Sequence, residues 1–334
     1  MRIKFEDMLN EFKRILMKKG FDSEDATLSA RILAENSLDG VYSHGVNRFP
    51  KVIEYIDKGY IDVKAKPEKI DGFASFERWD GKRGMGNLNA RMAMYRATEL
   101  AREYGVGILA LGNTNHWMRG GTYGWQAANA GFIGICWTNT MPNMPAWGGK
   151  DRRIGNNPLV MAIPRKNGEH VVLDTAMSQF SYGKIEEHRL RNEKLPVPGG
   201  YDYKGNLTNN PFEIEETWRV LPIGFWKGSS ISIALDLIVA VLSGGYSTTD
   251  IGKKCESEYA LSQMFIAIDP YRFSSTHEVE STIDNVIKDI KDSEKAESSI
   301  EVRYPGERVI STRRDNLENG IPVVKSIWEK IKAF

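Results

Sequence analysis

The sequence predicts an α/β fold in which helical segments at both ends of the chain flank a central region of strands and helices. Both ends carry apolar residues at helical spacing, and after about residue 60 the composition shifts toward Gly, Pro and β-forming residues. The central region contains short apolar runs of strand length. We therefore divide the chain into helical segments over 1–60 and 305–334 and an α/β region over 61–304.

The N-terminal segment has the apolar spacing of three helices, which we place at about 5–16, 23–38 and 43–57. Gly20 is positioned to end the first helix, and Asp22 or Ser23 to cap the second. Pro50 lies in the third stretch near its beginning, where a missing N–H costs least. The last thirty residues have the same spacing and are also predicted to be helical.

The α/β region is predicted to contain one long helix, Leu88–Tyr104, which ends at Gly105. The apolar strand candidates are Val106–Leu111, Phe132–Trp137, Leu159–Ile163, Val171–Leu173 and Met264–Ile268. The stretch Ile231–Leu242 is apolar nearly all round, too long for a typical strand and too short to span a bilayer, so we predict a buried central helix. The charged stretch 277–299 predicts a surface helix followed by a solvated connection.

Composition and charge exclude several classes of protein. The formal charge is +1, from 45 basic and 44 acidic residues, so no global attraction to nucleic acid or to an anionic membrane is expected. Cys136 and Cys255 are too few for a disulfide framework, and no Cys/His spacing suits a metal site. The N-terminus lacks the pattern of a signal peptide. We expect a reduced, cytoplasmic chain without a membrane span.

His44 and Arg48 are the first candidates for chemistry, because a helix over this stretch puts them on one face at a spacing of four residues. An imidazole titrates near neutral pH, and a guanidinium binds a carboxylate through two parallel hydrogen bonds. The alternative is a capping histidine beside an exposed arginine.

Two further clusters follow predicted strands. Asn115 and His116 come just after the strand that ends at Leu111, where α/β proteins tend to place ligands, although a glycine turn with buried side chains fits equally well. The stretch from Thr138 to Pro158 is dense in Gly, Pro, Asn and Trp. That composition suits the wall of a pocket or a set of tight turns.

The dinucleotide fingerprint of Rossmann folds is absent from the sequence. It requires GxGxxG between a strand and a helix, and the nearest stretch, Gly84–Asn89, has Asn in place of the third glycine and a charged segment before it. No Walker A, HExxH or GxSxG motif occurs either. Spacing alone therefore predicts an α/β protein with a polar pocket.

Four segments carry a resemblance to a known family. They are GVYSHGVNRFP over 40–50, NHWMRGG over 115–121, GICWTN over 134–139 and GFWKGS over 224–229. Together they resemble the type 2 malate/L-lactate dehydrogenases, and the match runs along essentially the whole chain. The resemblance implies an NAD(P)-dependent oxidoreductase with a non-Rossmann fold, helical terminal segments, a mostly antiparallel sheet and a homodimeric assembly. On this basis we expect the segments 1–60 and 305–334 to form the dimer contact and 61–304 to bind cofactor and substrate. Trp328 and Ile331 give the last helix an apolar stripe suited to that contact or to the chain's own core.

The resemblance also implies roles for individual residues. His44 corresponds to the family's catalytic acid/base, and Arg48, Asn115 and His116 are then the candidates to bind substrate. The segments that correspond to cofactor-binding ones contain His170, Val171, Val172, Leu173, Asp174, Thr175, Ala176, Trp226, Lys227, Gly306, Glu307 and Arg308. A carboxylate at Asp174 suits ribose hydroxyls and disfavours an extra phosphate, which favours NAD over NADP without excluding NADP.

Within the family, the NHWMRGG and FWKGS motifs are most similar to enzymes that reduce a 2,3-diketo sugar acid at C2. Malate, lactate, sulfolactate and ureidoglycolate are the competing substrates. From a different class, a non-catalytic sugar-acid binding protein fits less well, because neither a signal sequence nor an effector module is recognised. Two positions depart from the family pattern, Asn156 where Thr is usual and Ser230 where Gly is commoner.

Overall fold

The computed structural model describes residues 1–297 and 301–334. The helices are α1 Phe5–Lys18, α2 Ser23–Leu38, α3 Phe49–Asp57, α4 Gly86–Tyr104, α5 Gly121–Asn129, α6 Tyr182–Leu190, α7 Pro211–Thr217, α8 Trp226–Ser243, α9 Thr248–Lys254, α10 Thr276–Lys291, α11 Glu307–Asn319 and α12 Lys325–Lys332. A short 3₁₀ turn covers Tyr42–His44.

The strands are β1 Arg2–Ile3, β2 Glu68–Phe73, β3 Phe76–Asp80, β4 Val106–Thr114, β5 Ile133–Thr138, β6 Met144–Pro145, β7 Arg152–Ile154, β8 Leu159–Ile163, β9 Val171–Thr175, β10 Gly200–Tyr201, β11 Leu207–Thr208, β12 Leu261–Ile268 and β13 Ile321–Pro322. Seven of them form the main sheet in the order β2-β3-β4-β12-β5-β8-β9. Only β3 and β4 run parallel in this sheet, which confirms the predicted mostly antiparallel arrangement.

Helices cover both faces of the sheet because its central strands alternate between two cores. On β4, Leu109 and Leu111 pack with the alanine-rich faces of α4 and α5, whereas Ala110 faces the opposite core. That second core contains Leu235 and Val239 of α8. The period of two along the strand thus builds a helix–sheet–helix sandwich.

The terminal segments form a third core of their own. Helices α1, α2, α3 and α12 bury a shared apolar cluster, and β1 pairs with β13, which joins the two ends of the chain. Trp328 and Ile331 of α12 are buried in this cluster. The predicted end of the first helix is confirmed, because Gly20 follows α1 with φ +101°. The predicted cap of the second helix is confirmed as Asp22, whose side chain caps α2.

The prediction of a buried central helix over Ile231–Leu242 is wrong. Helix α8 buries one face on the sheet, and its other face leaves Ile233, Leu237 and Val241 exposed. By length and composition α8 would be able to cross a membrane, and 33% of its residues are buried within the protein. The sequence alone does not distinguish the faces, because apolar residues occupy both.

The predicted surface helix after residue 277 is present as α10, Thr276–Lys291. The end of the predicted solvated connection, residues 298 and 299, lies outside the described residues. The hairpin β2–β3 was not predicted, because its strands lack a continuous apolar pattern and β2 is exposed along its whole length.

Candidate active site

A cleft of about 1310 Å³ lies where the terminal helices meet the sheet. The helical segments supply His44 and Arg48, the loop after β4 supplies His116 to Gly120, and the edge strand β9 supplies Val172 to Asp174. The loop after β5 and the chain around Arg303–Gly306 complete the wall. The structure thus places side chains from distant parts of the sequence around one concave surface.

His44 reaches this cleft through a break in the chain. The expectation of one helix over 43–57 is wrong, because the backbone turns at Gly45 with φ −124° and ψ −115° and α3 begins only at Phe49. A Cβ on Gly45 would lie 2.1 Å from Ser37 Oγ, so glycine lets the turn rest on α2. His44 and Arg48 still meet in the cleft, although not by helical spacing.

The surroundings of His44 favour its neutral form. Burial and the nearby guanidinium groups of Arg48 and Arg119 lower the pKa of His44 to about 4. Its Nδ1 lies 2.9 Å from Ser43 Oγ, so Nε2 is the ring nitrogen that does not contact Ser43. An anion placed beside either arginine would offset the repulsion and make the imidazolium easier to form.

His116 stacks beside His44, with ring centroids 5.7 Å apart. The Met118 N–H donates to His116 Nδ1 at 3.0 Å, so the neutral ring carries its proton on Nε2. Burial first, then the charges of Arg48 and His44, lower the pKa of His116 well below its ordinary value. His116 is therefore a neutral N–H donor in the wall of the cleft.

Glu258 links these groups, although nothing in its sequence context signalled a role. Its Oε1 lies 3.8 Å both from Arg48 Nη2 and from His116 Nε2. Its Oε2 accepts a hydrogen bond from the Met141 N–H at 3.4 Å. Glu258 therefore joins the predicted carboxylate-binding residue to the loop that follows β5.

Arg119 is the most deeply buried charge in the cleft, with 4% of its side chain exposed. It forms an ion pair with Asp39 at the end of α2, and its Nε lies 3.9 Å from Asp174 Oδ2 on β9. Arg313 of α11 contacts the other oxygen of Asp39 at 2.7 Å. Arg119 thus ties the terminal helices to the edge of the sheet.

Asp174 of β9, a predicted cofactor-binding residue, lines the cleft. Its Oδ2 accepts a hydrogen bond from the Gly121 N–H at 2.8 Å, and burial raises the pKa of the carboxyl group, opposed by Arg119 and that N–H. Within the described residues Oδ1 has no hydrogen-bond partner. Asp174 therefore keeps one oxygen for a ligand hydroxyl.

The structure does not bring Asn115 into the cleft. Its Nδ2 donates to the carbonyl oxygens of Arg83 at 2.7 Å and Gly84 at 3.0 Å, and its side chain is buried. The backbone carbonyl of Asn115 accepts a hydrogen bond from Gln263 Nε2 at 3.0 Å. In this chain Asn115 fastens the loop before α4 to the end of β4.

Only part of the predicted cofactor set lines the cleft. Val172, Leu173, Asp174, Ala176 and Gly306 lie in it, whereas His170, Val171, Thr175, Trp226, Lys227, Glu307 and Arg308 do not. His170 instead accepts from the Arg165 N–H, and Glu307 pairs with Lys291. Trp226 and Lys227 are exposed at the start of α8. Sequence reasoning missed Arg303, Tyr304 and Val309, which line the same end of the cleft.

Comparison with known proteins agrees with this architecture. Residues 3–332 match the family model described as malate/L-lactate dehydrogenase. The chain belongs to the malate/L-lactate dehydrogenase family. Two relatives, each named 2,3-diketo-L-gulonate reductase, come from Citrobacter koseri and Klebsiella pneumoniae. Each is 44% identical over the full length of both chains.

Solved structures of the malate/L-lactate dehydrogenase family superpose on the whole chain. A sulfolactate dehydrogenase from Methanocaldococcus jannaschii is 30% identical with a TM-score of 0.89, covering 100% of this chain and 96% of that one. A malate dehydrogenase from Entamoeba histolytica is 25% identical with a TM-score of 0.94 at the same coverage. The resemblance drawn from the sequence is confirmed, and the protein is an oxidoreductase acting on CH–OH groups.

We predict that Arg119→Met lowers the free energy of unfolding by about 3 kcal/mol, the low end of the cost of breaking a buried ion pair, because Asp39 keeps Arg313 and Asp174 keeps the Gly121 N–H. Denaturant unfolding measures the change. The control is Arg153→Met, which breaks an ion pair with Asp151 whose side chains are 71% and 64% exposed and which should cost less than about 1 kcal/mol. Equal losses in the two variants would contradict the role given to Arg119.

Proposed function

We propose that this protein reduces the 2-keto group of 2,3-diketo-L-gulonate to give 3-dehydro-L-gulonate with a nicotinamide cofactor. One observation carries the proposal: His44 and Arg48 share a cleft in a chain that is 44% identical, end to end, to reductases of that name. A proton donor beside a carboxylate-binding group is what reduction of a 2-keto acid requires.

The cleft suits a nicotinamide dinucleotide in size and in chemistry. Its 1310 Å³ exceeds the range of about 300–1,000 Å³ common for drug-sized ligands. Leu173 and Val309 offer apolar surface, Asp174 Oδ1 is available to ribose hydroxyls, and Arg303 supplies positive charge for a pyrophosphate. When bound, the reduced cofactor supplies the hydride that is transferred to C2 of the substrate.

His44 supplies the proton in this mechanism. Burial first, and then the charges of Arg48 and Arg119, lower the pKa of His44; a substrate carboxylate paired with Arg48 offsets part of that positive charge and makes the imidazole easier to protonate. His44 Nε2 then gives its proton to the oxygen on C2, and the ketone becomes a hydroxyl group. His116, a neutral N–H donor, polarises the same carbonyl.

The test is a kinetic comparison of keto acids with purified protein, following loss of absorbance of the reduced cofactor. We expect the highest kcat/KM with 2,3-diketo-L-gulonate among a panel that includes oxaloacetate, pyruvate and sulfopyruvate. The similarity to a sulfolactate dehydrogenase makes sulfopyruvate the most informative competitor. A higher kcat/KM with any competitor would overturn the substrate assignment, and binding without turnover would favour a non-catalytic sugar-acid binding protein.

We predict that His44→Gln lowers kcat by about 10²–10⁴-fold, the usual contribution of a positioned acid or base, while cofactor binding stays normal. The matched control is His277→Gln, outside the cleft at the start of α10, which should leave kcat unchanged. Near-normal kcat in His44→Gln would remove His44 from the proton-donor role.

We predict a preference for NADH over NADPH, because the Asp174 carboxylate repels the additional phosphate of NADP. Asp174→Ser removes that charge and should shift the ratio of kcat/KM for NADH and NADPH toward NADPH. The readout that does not depend on turnover is the Kd of each reduced nucleotide, measured by fluorescence. A wild-type preference for NADPH would contradict the cofactor assignment, and an unchanged ratio in the variant would exclude Asp174 as its cause.

The homodimer is proposed to form through α8. The stripe that suggested terminal segments as the dimer contact, Trp328 and Ile331, is buried within the chain itself. The exposed face of α8 carries Ile233, Leu237 and Val241 at 40%, 57% and 70% exposure. A second copy packed on this face would remove these apolar side chains from water.

We predict that the wild-type protein is a dimer at micromolar concentration and that Leu237→Glu, at the centre of this face, converts it to a monomer. Light scattering measures the mass. Leu190→Glu changes an equally apolar residue, 71% exposed on α6, and should leave the dimer intact. A wild-type monomer, or a dimer in both variants, would contradict the α8 interface.

A further inference from the structure

Three polar side chains form a group on the cleft wall that the mechanism above does not use. We call Thr140, Asn143 and Asn156 the amide cluster. Asn156 Oδ1 accepts from Asn143 Nδ2 at 2.7 Å and from Thr140 Oγ1 at 3.2 Å. All three residues line the same cleft as His44 and Arg48.

The amide cluster is held firmly in place by its backbone. The Asn143 N–H donates to the Ile154 carbonyl at 3.0 Å, and the Asn143 carbonyl accepts from Tyr182 Oη at 3.1 Å. The Asn156 carbonyl accepts from the Met177 N–H at 2.8 Å. The side chains therefore project from a preorganised frame rather than from a mobile loop.

Hydrogen-bonding capacity is left over in the amide cluster. The side-chain hydrogen bonds of Asn156 to the described residues all end on Oδ1, so both N–H groups of Nδ2 remain for a ligand. Asn143 Oδ1 is buried and has no partner among the described residues. The free donors of Asn156 Nδ2 suit the oxygen of a ligand hydroxyl group, and the neighbouring Asn143 side chain carries an acceptor that lacks a donor.

The position of the amide cluster relates it to the reacting end of the substrate. Met141, next to Thr140, donates its N–H to Glu258, and Glu258 lies 3.8 Å from both Arg48 and His116. If the carboxylate lies at Arg48 and the ketone at His44, the carbons beyond C2 extend into the remainder of the same cleft, which this wall lines. In a sugar acid those carbons carry hydroxyl groups, whereas in pyruvate a methyl group ends the chain.

We infer that the amide cluster binds the hydroxylated tail of the substrate and selects polyhydroxy 2-keto acids over short ones. The inference rests on the proposed function and adds the residues that set its specificity. The amide of Asn156 contacts Asn143 through Oδ1 and presents two N–H donors on Nδ2.

The test compares kcat/KM for 2,3-diketo-L-gulonate and for pyruvate in the wild type, Asn156→Leu and Asn156→Thr. Asn156→Leu keeps the approximate volume but removes the amide, and it should lower kcat/KM for the sugar acid about 10- to 100-fold. Its kcat/KM for pyruvate and its KM for NADH should stay within about twofold of wild type, and Asn156→Thr should be intermediate. Asn285→Leu, on the exposed side of α10, is the matched control.

An equal loss with both substrates would overturn the inference, because a merely structural role affects them alike. A selective rise in the KM for NADH would also overturn it, by placing the amide cluster against the cofactor. The calorimetric Kd of L-gulonate and of L-lactate in the presence of NADH gives a readout without turnover. Asn156→Leu should weaken only L-gulonate, so this result distinguishes failure of the amide cluster from failure of the proposed reaction.

Discussion

The buried guanidinium of Arg119 is the interaction on which the site depends. It lies between Asp39, at the end of a terminal helix, and Asp174, on the edge strand of the sheet. His44 and Arg48 come from the helical side of this junction, and Asp174 and His116 come from the sheet side. A buried charge that lost one partner would be costly, so the ion network fixes the spacing of the two layers and hence the geometry of the cleft.

The same positive charge shapes the chemistry. Arg48 offers a guanidinium to a substrate carboxylate, whereas burial first, and then the charges of Arg48 and Arg119, lower the pKa of His44 and hold it neutral at physiological pH. Because an anion paired with Arg48 makes the imidazolium easier to form, His44 is protonated more readily in the substrate complex than in the free protein. The Glu258 carboxylate offsets part of the positive charge of Arg48. By accepting a hydrogen bond from the Met141 N–H, it also connects that arginine to the wall on which the amide cluster lies.

Sequence patterns predicted five of the seven strands of the main sheet, because strands such as β4 and β5 are apolar runs bounded by glycine or polar residues, and missed the exposed hairpin β2–β3. They did not predict which face of α8 is buried, because apolar residues occupy both of its faces. Asn115 follows a strand as a ligand-binding residue would, yet its partners are carbonyls more than thirty positions away. Glu258 and Arg303 were missed because only tertiary packing brings them to the cleft, whereas His44 and Arg48 were found through a helix that does not form.

The pH dependence of the reaction tests the account most directly. Because kcat/KM reports the free enzyme and His44 has a pKa of about 4 there, kcat/KM for 2,3-diketo-L-gulonate should fall about tenfold per pH unit between about pH 5 and 8. The profile of kcat reports the substrate complex, where Arg48 is paired, and should bend at a higher pH. His44→Gln should lose this slope. A wild-type kcat/KM that does not vary with pH, or an identical slope in His44→Gln, would contradict the proposal that His44 delivers the proton.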